Sequence, residues 1–334
     1  HALDQWEEQG IGGYSITIQP ADATDKVISG SVAQGMIRLN GADRLVFNGQ
    51  YNDDGEKHLL FRNYNGANPT FTFINSATDN TIKYCIIESS NTATGTTTAG
   101  TILFSTSALG TTGNNNNTIS NNINRNRTDV VANHAYAIYS YGTNNADKYN
   151  SGNIIANNEI LNFNNYGIYV YSYSGNGWEI KDNNFYYTST ATLAQTAILF
   201  NATTSSANII TGNFIGGQAT NCGGSAWTNS GSAIAFMGIS LNVGTATASS
   251  VQNNTIQNIS LTGTGAANFT GINIGAGLVN VGNIDGNTIG HASNQYSISN
   301  TGTSTTSGIV ASVSAATNIS NNLIANMRAS NIGT

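Results

Sequence analysis

Apolar and polar residues alternate along this chain in short runs, and the runs recur. One phrase is a branched apolar residue, two spacers, Asn, and a second apolar residue two places on. It reads Ile155-Ala-Asn-Asn158-Glu-Ile160 and Ile180-Lys-Asp-Asn183-Asn-Phe185, then returns from Ile210, Val251, Ile284 and Ile319. Weaker copies precede these: Leu45 with Asn48, Ile82 with Cys85 in the Asn place, and Ile119 with Asn122. The column is Asn48, Cys85, Asn122, Asn158, Asn183, Asn213, Asn254, Asn287 and Asn322, with steps of 37, 37, 36, 25, 30, 41, 33 and 35 residues. Periods in this range mark stacked repeats.

A second phrase sits ahead of each first one. It is Gly or another small residue followed by an alternating run, as in Ala137-Ile-Tyr-Ser140, Gly167-Ile-Tyr-Val170, Ala233-Ile-Ala-Phe236 and Gly271-Ile-Asn-Ile274. Alternation with period two, β-branched residues and bounding Gly, Asn and Ser predict strands. No sustained 3.6-residue apolar stripe predicts a helix. Strands that cannot bury a face alone bury it against the next repeat. The expected fold is all-β, a right-handed parallel β-helix of roughly nine rungs about 4.8 Å apart. Asn tolerates the left-handed conformation a corner needs, and stacked amides can hydrogen-bond along a column.

Composition refines this picture. Gly at 37 of 334 residues, with abundant Asn, Thr and Ser, would suggest disorder without the period, and only two prolines interrupt the ladder. Residues 1–13 fall outside the pattern, and their helix-like stretch from Leu3 to Glu8 reads as a cap or a junction. Residues 14–334 read as one repeat domain, an excerpt of something longer. Eleven Lys and Arg against seventeen Asp and Glu make no basic face, so nucleic acid is not an expected partner. No apolar run is long enough to insert in a membrane. Cys85 and Cys222 sit about 19 Å apart along the axis, too far to bridge, and Cys85 reads as a buried filler of the corner column.

Three sets of residues are candidates for chemistry. Glu159, Glu179, Lys181 and Asp182 lie on neighbouring rungs, where a carboxylate pair or a Lys base would act on a sugar ring. A surface salt-bridge group accounts for the same residues more simply. Asp53, Asp54 and Glu56 form the densest acidic run and are a weak candidate for Ca²⁺. No other metal or cofactor is indicated, since His1, His58, His134 and His291 lie far apart and no phosphate loop occurs. The third set is an outward column, Arg38, Leu103, Tyr139, Tyr169, Leu199, Ala235, Asn273 and Val310, with Tyr141 and Tyr171 two residues on. Its middle presents Leu103, Tyr139, Tyr141, Tyr169, Tyr171 and Leu199 as an apolar face. Such a face suits a partner protein or sugar rings, or serves as a cross-strand ladder alone.

Segments such as Asn213-Phe-Ile-Gly-Gly217, Asn221-Cys-Gly-Gly-Ser-Ala-Trp-Thr228 and Gly282-Asn-Ile-Asp-Gly-Asn-Thr-Ile-Gly290 resemble large repetitive surface and secreted proteins of Bacteroidota and related bacteria. The resemblance implies a right-handed β-helix, an extracellular or cell-surface location and type IX secretion. It implies roles in adhesion or surface filaments, and supplies no catalytic residues. The expected function is a non-enzymatic surface module that binds glycans or proteins, with self-association end to end or side by side. A polysaccharide lyase or glycoside hydrolase on the same scaffold is the alternative.

Overall fold

A computed structural model describes residues 2–4, 13–95, 97–313, 315 and 317–330. The chain folds as a right-handed parallel β-helix. Its described strands form three ten-stranded parallel sheets and one five-stranded sheet. The strands of sheet 1 number the coils: Ala2–Asp4, Ile37–Asn40, Phe71–Ile74, Ile102–Phe104, His134–Ser140, Phe163–Val170, Gln195–Ala202, Ala235–Val243, Asn268–Ala276 and Thr306–Ala311. Each coil continues through sheets 2 and 3, as coil 6 does through Glu179–Lys181 and Asn184–Tyr186. The only described helical segments are 3-10 turns at Ala146–Lys148 and Thr220–Cys222. No helix among the described residues is long and apolar enough to cross a membrane.

The described residues form ten coils where the repeat phrases count nine. The extra one is the first, whose strand Ile16–Ile18 carries no Asn phrase and pairs with Leu45–Phe47. Leu3 and Asp4, at the start of the helix-like stretch, are extended and pair with Leu39 and Asn40; residues 5–8 lie outside the described residues.

Inward residues stack by type. Ile138, Ile168, Ile198, Ile239 and Ile272 pair in register along sheet 1, and none is more than 1% exposed. Burying such a side chain contributes about 1.5–3 kcal/mol. The residue before each Ile is Ala or Gly because sheet 3 comes close there. A Cβ added at Gly238 would lie 2.6 Å from Ile256 Cδ1. The in-register phrase of coil 8 is therefore Gly238-Ile239-Ser240-Leu241, five residues beyond the run from Ala233. In coil 9 the core residue is Val281, which pairs with Val251, whereas Ile284 is 74% exposed in an inserted turn.

The corner between sheets 2 and 3 holds the Asn column. Asn122, Asn158, Asn183, Asn213, Asn254 and Asn287 form a continuous amide ladder ending on Asn322. Each Oδ1 after the first accepts from the backbone N–H and Nδ2 of the preceding Asn at 2.8–3.1 Å. Cys85 begins the column, its N–H donating to Asn122 Oδ1 at 2.8 Å. Asn48 does not belong to it. Strand pairing sets Asn48 beside Lys83, and its Oδ1 accepts locally from the Gln50 N–H. The column residues are also not the left-handed ones. That conformation falls on the residue before, at Tyr84, Asn121, Asn157, Asp182, Gly212, Asn253 and Asn321. A second ladder, unnoticed in the sequence, runs through Asn80, Asn117 and Asn153 at the start of sheet 2.

From coil 6 onward a fourth side is added, with strands Thr190–Ala191, Trp227–Asn229, Ile259–Leu261, Ile298–Asn300 and Met327–Ala329. In coils 5 to 9 the sheet 1 strands lengthen to seven to nine residues, from three in coil 4. The wider outer face of sheet 1 carries the site described next.

Candidate functional site

Across sheet 1 the outward register is Leu103, Tyr139, Tyr169, Leu199, Ser240, Asn273 and Val310. Ser240 occupies the place expected for Ala235, because of the five-residue offset in coil 8. In the earlier coils Thr72 stands between Arg38 and Leu103.

The tyrosines expected as an open face form a packed cluster. Leu103 and Tyr139 are 0% and 2% exposed, buried with Ala99, Ala135 and Tyr136 as a small second core outside the solenoid. Gly100 lies against Tyr139, where an added Cβ would come within 3.0 Å of the Tyr139 Cβ. Tyr136 and Tyr166 join the cluster, with ring centroids 4.9 Å apart, because the ladder shifts register between His134 and Tyr136. Tyr139 and Tyr169 stand 5.3 Å apart, and Tyr141 and Tyr171 stack at 5.8 Å. Burial raises the phenol of Tyr136 to about 12, and burial with neighbouring phenols raises those of Tyr139 and Tyr169 further. These hydroxyls stay neutral in any ordinary solution. Tyr141, Tyr166, Tyr169 and Tyr171 remain half-buried, at the edge of the cluster.

Beyond that edge lies a groove of about 460 Å³. Tyr166 and Tyr169 form its wall, and Leu199 and Met237 contribute apolar surface. Asn201, Asn242 and Asn273 supply amides from three successive coils. The groove crosses coils 6 to 9, so it runs along the solenoid axis for about 14 Å, three steps of about 4.8 Å. Its amides are aligned by neighbours. Asn273 Nδ2 donates to Ser240 Oγ at 3.0 Å, and Asn242 Nδ2 approaches Asn201 Oδ1 at 3.5 Å. Asn201 is shared with a smaller hollow of about 220 Å³ beside Tyr171 and Tyr173. No Asp, Glu, His, Lys or Arg lines either space.

The structure divides the acid and Lys set between two sheets. Lys181 pairs with Glu179 at 2.6 Å, two residues away on the same strand of sheet 2. Glu159 lies on sheet 3, pairs in register with Asn184, and accepts a 2.6 Å hydrogen bond from the Tyr186 hydroxyl. Asp182 is the left-handed corner residue between the sheets, with φ of 56°. Ion pairing across rungs, expected from spacing, does not form among these four.

The densest charge network lies elsewhere on sheet 3. Glu88 is fully buried and accepts from Arg62 Nε at 2.6 Å and Arg125 Nε at 2.9 Å. Strand pairing stacks Arg62, Glu88 and Arg125 in one column. Arg127 pairs with Asp129 at 2.8 Å and lies over the Tyr64 ring, 4.7 Å from its centroid. Arg125 is a strand residue clamping a buried carboxylate. Every member is engaged by another, so the network holds three coils together.

In the acidic run, Asp54 Oδ1 accepts the Glu56 N–H at 3.0 Å and Asp54 Oδ2 pairs with His58 Nε2 at 2.9 Å. Asp25 reaches the other ring nitrogen at 3.1 Å. Bonds to Asp25 and then Asp54 raise the His58 pKa above its ordinary value. No three His, Cys, Asp or Glu side chains converge as a metal set among the described residues, Asp53, Asp54 and Glu56 included. His134 is wholly buried, bonded to Thr101 Oγ1 at 2.9 Å, and burial lowers its pKa to about 3. Cys85 and Cys222 are free and buried, and burial raises both thiols, Cys222 to about 12.

No family model and no curated protein matches the chain significantly. Among solved structures it is similar to the Streptococcus pneumoniae surface protein and adhesin PfbA, at 11% identity and a TM-score of 0.34, over 97% of this chain and 81% of that one. It is similar to the A-module of the Azotobacter vinelandii mannuronan C-5 epimerase AlgE6, at 12% identity and 0.34, over 94% and 91%. A third likeness is a tailspike mutant of E. coli bacteriophage HK620 in complex with a pentasaccharide, at 11% and 0.35, over 83% and 60%. Likeness at this level carries no argument about activity or ligand.

Proposed function

We propose that this chain is a non-enzymatic, extracellular surface module that binds glycans along the outer face of sheet 1. The observation that carries the reading is the groove beside Tyr166 and Tyr169, an aromatic and amide-lined channel without a single carboxylate, imidazole or amine. Aromatic faces stack on the C–H surface of sugar rings, and side-chain amides match their hydroxyls. Glycoside cleavage needs a proton donor and a second carboxylate on either side of the bond, and elimination needs a base. The groove offers no carboxylate, and burial keeps the Tyr166 and Tyr169 phenols protonated and so unfit as bases, while Glu159 and Lys181 stand on sheets 3 and 2. The adhesion role and secretion by a type IX route are parts of the same reading, motivated by the sequence resemblance.

A glycan array read for both retention and product release tests it. The expected result is retention without released sugar, reduced by Tyr169→Ala. Release of unsaturated or reducing-end products, abolished by Glu159→Ala or Lys181→Ala, would make the protein an enzyme instead.

A further inference from the structure

The glycan-binding reading leaves the ligand's chemistry open, and the groove restricts it. An acidic polysaccharide is held by cations placed against its carboxylates or sulfates, because a desolvated anion without a partner is costly. The chain has eleven Lys and Arg in all, and none lines the groove or the hollow beside it. The Arg residues nearest to forming a cluster, Arg62, Arg125 and Arg127, are committed to Glu88 on sheet 3 and to Asp129 in the turn beyond it. The net charge of −6 adds a repulsive background for any polyanion.

What the groove offers is neutral and periodic. Asn201, Asn242 and Asn273 arrive one per coil, each amide able to donate and accept at once. Vicinal hydroxyls of a sugar present the same donor and acceptor pair. The register sets Tyr169, Leu199, Ser240 and Asn273 side by side in one column, and Asn201 and Asn242 pair in the parallel column two residues along. A ligand that uses this line must be extended along the axis, crossing strands rather than following one. Resting on the glycan-binding reading, we infer that the groove takes a neutral, extended oligosaccharide laid parallel to the solenoid axis, stacked at Tyr166 and Tyr169 and hydrogen-bonded by the amides of coils 7 to 9.

Isothermal titration of the whole chain with neutral oligosaccharides of rising length, and with uronic-acid and sulfated ones of the same lengths, tests this at low and high salt. Expected is binding of neutral chains only, tightening with length until the groove is filled, and unchanged by salt. Asn242→Ala should weaken it by about five- to tenfold, the loss of one or two hydrogen bonds. Asn242 is half-exposed, so this variant folds, and a matching circular dichroism spectrum checks that. Preferential binding of acidic chains, weakening with salt, would overturn the neutral class while leaving glycan binding intact. Neutral binding indifferent to both Tyr169→Ala and Asn242→Ala would place the ligand elsewhere and overturn the inference. Absence of binding by both classes, with no retention on the array, would remove the underlying reading as well.

Discussion

Asn158 Oδ1 accepts two hydrogen bonds from one residue, the backbone N–H of Asn122 at 3.0 Å and its side-chain Nδ2 at 3.1 Å, although 36 residues separate them. Asn158 Nδ2 meanwhile donates to Ile119 O and Asn183 Oδ1. One buried amide thus ties three coils together. Asn158→Ala removes four hydrogen bonds and strands donors and acceptors in the core. It is expected to destabilise by about 3 kcal/mol or more, seen as a lower urea midpoint. Asn48→Ala removes one local bond and should cost about 1 kcal/mol. Equal effects at the two sites would refute the ladder's special role.

His58 makes the junction of coils 1 and 2 sensitive to pH. Asp25 and Asp54 raise its pKa, so the folded state holds the proton more tightly than the unfolded one. The stabilisation is fully present below the ordinary His value of about 6.5 and is lost as pH rises through the higher folded value. The strand Lys26–Gly30 pairs with Leu59–Asn63 beside it, and the Lys26 N–H donates to His58 O at 2.7 Å. Hydrogen exchange in Lys26–Gly30, corrected for intrinsic rates, should quicken as pH climbs past neutrality. His58→Gln should abolish that dependence.

Glu88 bridges Arg62 and Arg125, and Arg62 has a second, longer ion pair with Asp129 at 3.7 Å. Glu88→Gln leaves two cations facing each other in a largely buried place and should cost about 3 kcal/mol. Replacing all three residues with Leu should cost less than the single change, because no unpaired charge remains. A triple variant less stable than Glu88→Gln would contradict this account.

The tyrosine cluster predicts a spectroscopic signature. In an alkaline titration followed by phenolate absorbance, Tyr136, Tyr139 and Tyr169 should ionise only well above the ordinary tyrosine value of about 10, or on unfolding. Tyr139→Phe should be nearly neutral for stability, whereas Tyr139→Ala should cost about 3 kcal/mol by analogy with other buried aromatic truncations.

The repeat, the strand class and the corner amides were legible because each is a local pattern repeated many times. What was not legible depended on register across coils. Asn48 fits the phrase but sits two places short of the column, at Gln50, since Phe47 rather than Leu45 faces Ile82. Ala233 opens a convincing strand phrase, yet the longer coil 8 strand puts Gly238 in the Gly place. Tyr136 and Tyr166 enter the cluster only through an irregularity that no spacing announces. Arg62, Glu88 and Arg125 lie 26 and 37 residues apart, and only paired strands make them neighbours. The groove itself was half visible: the column passed through Tyr169, Leu199 and Asn273, while its amides at Asn201 and Asn242 lie two residues along.

The ladder from Asn158 to Asn183 closes over 25 residues, and the step from Asn213 to Asn254 over 41, with the same two hydrogen bonds in each. Circumference is therefore free to vary while pitch is not. Distance along this molecule is counted in coils, whatever the number of residues between them. A surface loop can be lengthened, shortened or exchanged without changing how far apart two features stand on the axis. The fold works as a ruler whose graduations are amides and whose markings can be rewritten one at a time.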